Sequence, residues 1–286
     1  MKVTQVTSVD RISNFIKENV STSQSYTNKL PLQYDKAYDM YLEEAIQTTG
    51  IFVLEENGAI QMALICIPYL ENRYKVIGPI TQKDYLPTGD AFELLFNAAT
   101  SSHAKPATYY FAYAAENEHI KAYMKTIGAS YTFTDYHLST HTDLGETENI
   151  HHIIDYKPAY FKYFKKLHED TFSHNAMRAE EIVETLDAQH QLKLYMAEGI
   201  LKGYLYLILN PNEGHAEIRY FSSHTHYRLK GIAFDLIQHA IHEALAQPDI
   251  HDVYFKIRSK NHRLVERFHE FGFEMTSEYR KFKLAR

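Results

Sequence analysis

The chain repeats itself, and a repeat with this period leaves few folds open. Pro87-Thr88-Gly89-Asp90-Ala91-Phe92-Glu93-Leu94-Leu95 matches Leu229-Lys230-Gly231-Ile232-Ala233-Phe234-Asp235-Leu236-Ile237, with Gly89 on Gly231, an offset of 142 residues. Downstream, Asn117 and Gly128 answer to Asn261 and Gly272 at an offset of 144. Upstream, residues 51–54 with the turn Asn57-Gly58 answer to residues 192–195 with Glu198-Gly199, at an offset of 141. Three segments in one order at nearly one offset imply two copies of a fold in tandem. A length of 286 residues is long for one domain and natural for two.

Hydrophobic spacing gives the same element order twice. In the first copy it predicts helices over 9–19, 35–48, 89–100 and 118–127. Strands are expected over 50–54, 59–68, 75–80 and 108–114, the first two as a hairpin about Asn57-Gly58. In the second copy helices are expected over 159–170, with Pro158 at its start, 178–186, 234–246 and 263–271. Strands follow over 192–197, 200–209, 217–223, 252–257 and 273–283. Helices alternating with strands and hairpins predict a mixed sheet. The polar stretch 140–149 reads as a linker, which sets the expected domains at 1–141 and 142–286.

The loop before helix 234–246 carries the chemistry. Arg228-Leu229-Lys230-Gly231-Ile232-Ala233 joins a strand to a helix, and such a turn aims backbone N–H groups and a helix N-terminus at one point. That suits a pyrophosphate. The loop resembles the Arg/Gln-x-x-Gly-x-Gly/Ala motif of the GNAT (Gcn5-related N-acetyltransferase) superfamily. The preceding strand, Glu217-Ile218-Arg219-Tyr220-Phe221-Ser222-Ser223, resembles the family's fourth strand. The segment from Asn261 through Phe268 to Gly272-Phe273 resembles its second cofactor motif.

The resemblance implies an α/β (α+β) fold of two tandem GNAT-like domains, each a mixed, mostly antiparallel sheet flanked by helices. It implies an acyl-CoA-dependent N-acetyltransferase that moves an acetyl group from acetyl-CoA to a primary amine, with no metal. The implied cofactor residues are Phe221 and Ser223 through their backbone, Arg228, Leu229, Lys230, Gly231, Ile232 and Ala233 at the phosphates, and Asn261 and Phe268. Lys230 is either a ligand of the adenosine 3′-phosphate or a solvated loop charge. The Ser223 N–H is the expected donor to the thioester carbonyl. Glu217 is the candidate base, the other reading being a strand carboxylate paired with Arg219. Many family members carry a tyrosine that protonates the thiolate, where this chain has Phe268; His224, Tyr227 and His269 are the nearby substitutes.

The first copy has lost its loop cation. Leu86 stands where Arg228 stands, and Pro87, which has no N–H, stands where Leu229 stands. It is expected to be a degenerate, structural domain, the other reading being that it binds a different small molecule or an acyl chain. Charge and composition narrow the partners. A formal net charge of -6 argues against nucleic acid as a partner. There is no apolar run of membrane-spanning length, and the acceptor is expected to be a small-molecule or peptide amine. A monomer or homodimer in the cytoplasm is expected, since Cys66 is the only cysteine and no signal-peptide core is seen. The 17 histidines form pairs at His151-His152, His224/His226 and His239/His242, without a third ligand at metal-site spacing. Two other readings are carried: a non-catalytic CoA-binding sensor or scaffold, and a relative of the tandem GNAT-like aminoacyl transferases of cell-wall synthesis.

Overall fold

The structure is a computed structural model of the chain and describes residues 1–25, 38–172, 176–227 and 231–286. The start of the helix expected from residue 35, and Arg228, Leu229 and Lys230, lie outside the described residues. The chain divides into two compact units. The first holds Met1–Asp135 and Ser277–Arg286, and the second holds Tyr136–Thr276.

The first unit contains β1 (Lys2–Gln5), α1 (Ser13–Asn19), α2 (Tyr38–Thr48), β2 (Ile51–Glu56), β3 (Ala59–Leu70), β4 (Arg73–Thr81), α3 (Gly89–Thr100), β5 (Thr108–Ala114) and α4 (Ile120–Ile127). Strand β6 (Ser130–Thr140) begins there. In the second unit come β7 (Ile153–Asp155), α5 (Phe161–Thr171), α6 (Ala179–Glu184), β8 (His190–Ala197), β9 (Ile200–Asn210), β10 (His215–Ser223), α7 (Ile232–Leu245), β11 (Asp252–Arg258) and α8 (His262–Glu270). Strand β12 (Glu274–Ala285) starts in the second unit and ends in the first.

The first sheet runs β1-β2-β3-β4-β5-β12. Its β4–β5 pair is parallel; β1–β2, β2–β3, β3–β4 and β5–β12 are antiparallel. Alternation along β2 and β3 sorts side chains onto two faces. Val53, Ala63 and Ile65 join Ile12, Ile16 and Leu42 under α1 and α2. Leu54, Met62 and Leu64 join Phe92, Phe96, Tyr123 and Met124 under α3 and α4.

The second sheet runs β7-β8-β9-β10-β11 and closes on the final residues of β6, where Ser139 Oγ donates to Asp252 Oδ2 at 2.8 Å. Strand β9 is buried along nearly its whole length because helices cover both faces. Leu205, Leu207 and Leu209 point toward α7 and α8, and Tyr204, Tyr206 and Ile208 toward α5 and α6. Each hairpin turns where the sequence places it, with positive φ at Asn57 and Gly58 and at Glu198 and Gly199. No helix among the described residues is long and apolar enough to cross a membrane.

Two features depart from the sequence reading. Residues 130–140 form a strand, β6, and the C-terminal residues 277–286 belong to the first unit. The last strand of each sheet thus comes from the other half of the sequence, which no single boundary at 141/142 expresses. Residues 141–149 are tied to α7. Asp235 accepts from Thr147 Oγ1 at 2.7 Å and from Asn149 Nδ2 at 3.2 Å. Gln238 Nε2 donates to Gly145 O at 3.2 Å, and His239 and His242 pair with Glu146 and Asp143, each at 3.0 Å.

The His239 pair makes a pH prediction. Burial lowers its pKa, but Glu243 and Glu146 outweigh burial and raise it above 6.5. A raised folded-state pKa contributes stability that is complete below the unfolded pKa and lost as pH rises through the folded one. Melting temperature of the second unit should therefore fall as pH rises through that window, and His239→Gln should flatten this slope.

Candidate functional site in the second unit

Strands β10 and β11 pair in parallel from His215 with Asp252 to Ile218 with Phe255, and among the described residues the pairing stops there. Both strands continue, β10 to Ser223 and β11 to Arg258, so their C-terminal halves part. A bulge sits at the fork: Ile218 faces Leu207 and Tyr220 faces Tyr206, leaving Arg219 without a ladder partner in β9. The extra residue reverses the alternation. Ala216 and Ile218 face α7 and α8; beyond the bulge Phe221 faces that side and Tyr220 faces α5 and α6.

Ladder register fixes what the parted half of β10 presents. The His224 N–H donates to Lys202 O at 2.8 Å. Bonded pairs in an antiparallel ladder recur every second residue, so Ser222 with Tyr204 and Tyr220 with Tyr206 are bonded pairs as well. The intervening Phe221 and Ser223 direct their N–H and C=O groups away from β9, into the gap beside β11. Both residues carry backbone roles in the sequence reading.

The Phe221 ring packs on Phe255 at 5.3 Å and on Phe268 at 5.9 Å. Phe268 is fully buried, stacked on Phe255 at 4.6 Å and edge-on to Phe273 at 4.9 Å. Its ring thus backs both walls of the fork, Phe221 of β10 and Phe255 of β11.

Beyond β10, α7 starts at Gly231, whose φ of +77° is left-handed backbone open to glycine. The Gly231 carbonyl accepts from Phe234 N at 2.8 Å and Asp235 N at 3.0 Å. The N–H groups of Ile232 and Ala233 precede these bonds and have no partner within the helix. Among the described residues, no atom lies within 4 Å of where a Gly231 Cβ would stand. Ile232 is buried and anchors the helix start against Gly203 of β9. A Cβ at Gly203 would stand 2.8 Å from Ile232 Cγ2, so this strand glycine, which the sequence reading missed, lets the helix start sit close to the sheet. The matching helix α3 differs: Thr88 Oγ1 caps it by accepting from Ala91 N at 3.2 Å. At α8, Asn261 is exposed and its carbonyl accepts from Leu264 N at 2.9 Å.

Glu217 is buried on the face toward α5 and α6, and its two oxygens face Arg219 and Lys256, the latter at 3.3 Å. Burial raises its pKa, but Lys256 and then Arg219 outweigh this and hold it below 4.5. It is an ion-paired carboxylate and a weak proton acceptor. On the same face lies a polar group that sequence reading did not find. His168 is buried, with Nε2 2.7 Å from Met177 O and Nδ1 against Tyr204 Oη. Facing a carbonyl, Nε2 must carry the proton, so in the neutral ring that burial favours by lowering its pKa, Nδ1 accepts from the Tyr204 hydroxyl. Tyr220 Oη accepts from Met177 N at 3.1 Å, and Thr171 and Ser222 hydroxyls meet at 2.7 Å.

The substitutes for the missing tyrosine are placed as follows. His224 stacks on His226 at 5.1 Å, Lys202 lies 4.7 Å over the Tyr227 ring, and His269 Nδ1 meets Phe273 O at 2.7 Å. Among the described residues no three His, Cys, Asp or Glu side chains converge as a metal site would.

Residues 153–273 match the model of the acetyltransferase (GNAT) family. No curated protein matches the chain. Several solved structures share its fold from end to end. A GCN5-related N-acetyltransferase from Sphaerobacter thermophilus aligns over 99% of this chain and 95% of its own, with a TM-score of 0.71 at 12% identity. A GNAT-family acetyltransferase from Colwellia psychrerythraea aligns over 100% and 99%, with a TM-score of 0.61 at 12% identity. A tandem GNAT protein from the clavulanic acid biosynthesis pathway aligns over 99% and 98%, with a TM-score of 0.57 at 13% identity. Over residues 153–273, then, the chain carries a domain of the acetyltransferase (GNAT) family.

Proposed function

We propose that the second unit transfers an acetyl group from acetyl-CoA to a primary amine by direct attack in a ternary complex. The observation that carries this reading is the fork of β10 and β11, with Phe221 and Ser223 turned into it. The residues fit the co-substrate. An extended pantetheine arm has amide groups that can continue a strand edge, and the uncapped N-terminus of α7 suits a pyrophosphate. Glycine at 231, with no side chain of its own, lets phosphate oxygens approach the backbone. Arg228, Leu229 and Lys230 complete this cradle in the proposal, and Asn261 at the α8 N-terminus contacts the arm.

The chemistry is modest. The amine lone pair attacks the thioester carbonyl, the C–S bond breaks, and the electron pair leaves with sulfur. Holding both reactants in the fork supplies proximity, and the Ser223 N–H stabilises the developing oxyanion. Glu217 pairs with Arg219 and Lys256 beside the fork, and the amine proton passes to it, directly or through a water, or to solvent. A covalent route through Cys66 is disfavoured, because that thiol is buried in the first unit with its pKa raised to about 12. The acceptor is a small-molecule or peptide amine.

A second reading, binding without turnover, draws on the same ion-paired Glu217. Incubating acetyl-CoA with a panel of primary amines and following thiol release separates the two. Amine-dependent release is expected; saturable binding with no release for any amine would select the sensor.

A further inference from the structure

The first unit contains the same fork, and the chain fills it. Strands β4 and β5 pair in parallel from Arg73 with Thr108 to Val76 with Phe111, and among the described residues the pairing ends there. The β3–β4 ladder slips between Ile77 and Ile80, as β10 does at its bulge. At the 142-residue offset Thr81 answers to Ser223, Pro79 to Phe221 and Gly78 to Tyr220.

At Thr81 and Pro79, which answer to Ser223 and Phe221, the N–H that the second unit would offer to a ligand is used or missing here, and the adjoining Gly78 is bonded as well. The Thr81 N–H donates to Thr22 Oγ1 at 2.9 Å, and the same hydroxyl lies 3.0 Å from Thr81 O. Pro79 has no N–H. The Gly78 N–H donates to Ser25 Oγ at 3.1 Å, and Tyr113 Oη donates to Gly78 O at 2.5 Å. On the other wall, the Ala114 N–H of β5 donates to Gln24 O at 2.7 Å, and Ser25 bridges to Tyr113 in antiparallel fashion. Just outside, Lys83 N–H donates to Asn19 Oδ1 at 3.0 Å. Asn19, Ser23 and Ser25 are all buried polar residues, and these bonds give Asn19 and Ser25 their partners.

We infer that residues 22–25 are a built-in occupant of the first unit's fork, lying between β4 and β5 at the place that the proposed function gives to a pantetheine arm in the second unit. The first unit is thereby closed to acyl-CoA, and the chain takes up one acyl-CoA, not two. This inference goes beyond the proposed activity and stands on the first unit's own hydrogen bonds. It also explains why Leu86, Pro87 and the self-capped α3 carry no penalty: no phosphate comes to that helix.

Amide hydrogen exchange on the full chain, resolved to single amides, tests it. In wild-type protein the Gly78 and Thr81 amides should be protected without ligand and unchanged by saturating acetyl-CoA. Thr22→Val should speed exchange at Thr81 by about tenfold, and Ser25→Ala should do the same at Gly78. Should either variant fail to fold, the wild-type rates alone decide. Fast exchange at Gly78 and Thr81 in the free protein, or slowing of both by acetyl-CoA, would overturn the inference. Failure of acetyl-CoA to bind anywhere would sink the proposed function while leaving these rates as predicted.

Discussion

Phe268→Ala should lower the stability of the second unit by about 3–5 kcal/mol, the range for truncating a fully buried aromatic ring. The ring is completely enclosed and touches Phe255, Phe273 and Phe221. Removing it leaves a cavity beneath the parted half of β10, so the loss should extend to the fork. Phe268→Leu keeps much of the volume and should cost about 1.5 kcal/mol or less. Urea denaturation measures both. A small loss for Phe268→Ala would mean that the ring is not the support of Phe221 that its contacts describe.

Ser223→Pro should reduce kcat/KM for acetyl transfer by about a hundredfold to a thousandfold, the cost of removing one backbone donor from a developing oxyanion. The substitution is unusually clean. The Ser223 N–H points away from β9, so proline removes no bond of that ladder, and strand positions with outward N–H groups tolerate proline. Ser223→Ala keeps the N–H and should stay close to wild type. Equal losses in the two variants would place the function in the hydroxyl and contradict the backbone role. The first unit has already made a comparable change, with Pro79 at the position that answers to Phe221.

How much of this could be read in the sequence varies by element. The repeat gave the order of helices and strands, and α3 and β5 have the bounds that hydrophobic spacing predicts. Those elements bury one clear face against one core, so period and burial agree. Strand β6 was hidden because residues 130–140 mix polar and aromatic side chains. The placement of 277–286 in the first unit was hidden too, since a strand's partner is not a local property. At the site, the loop motif drew attention to Gly231 and the strand before it to Phe221 and Ser223; the structure adds the left-handed φ of Gly231 and the outward backbone of both strand residues. The bulge at Arg219 was not, because register depends on β9 and not on β10 alone. Gly203 was invisible for a similar reason: its value is the 2.8 Å that a Cβ would leave to Ile232. For Glu217 the sequence shows a carboxylate on the strand, but not the Lys256 that comes from β11 to pair with it. Nothing in the run Thr22-Ser23-Gln24-Ser25 announces that its hydroxyls satisfy another strand.

The central claim is that the fork of the second unit, and it alone, holds acyl-CoA. Calorimetric titration of acetyl-CoA into the full chain tests this most directly, with wild type and Ser223→Pro side by side. One site per wild-type chain, and affinity weakened by about tenfold in Ser223→Pro through loss of the N–H that faces the bound arm, is the predicted result. Two sites per chain, or undiminished affinity in Ser223→Pro, would contradict the account.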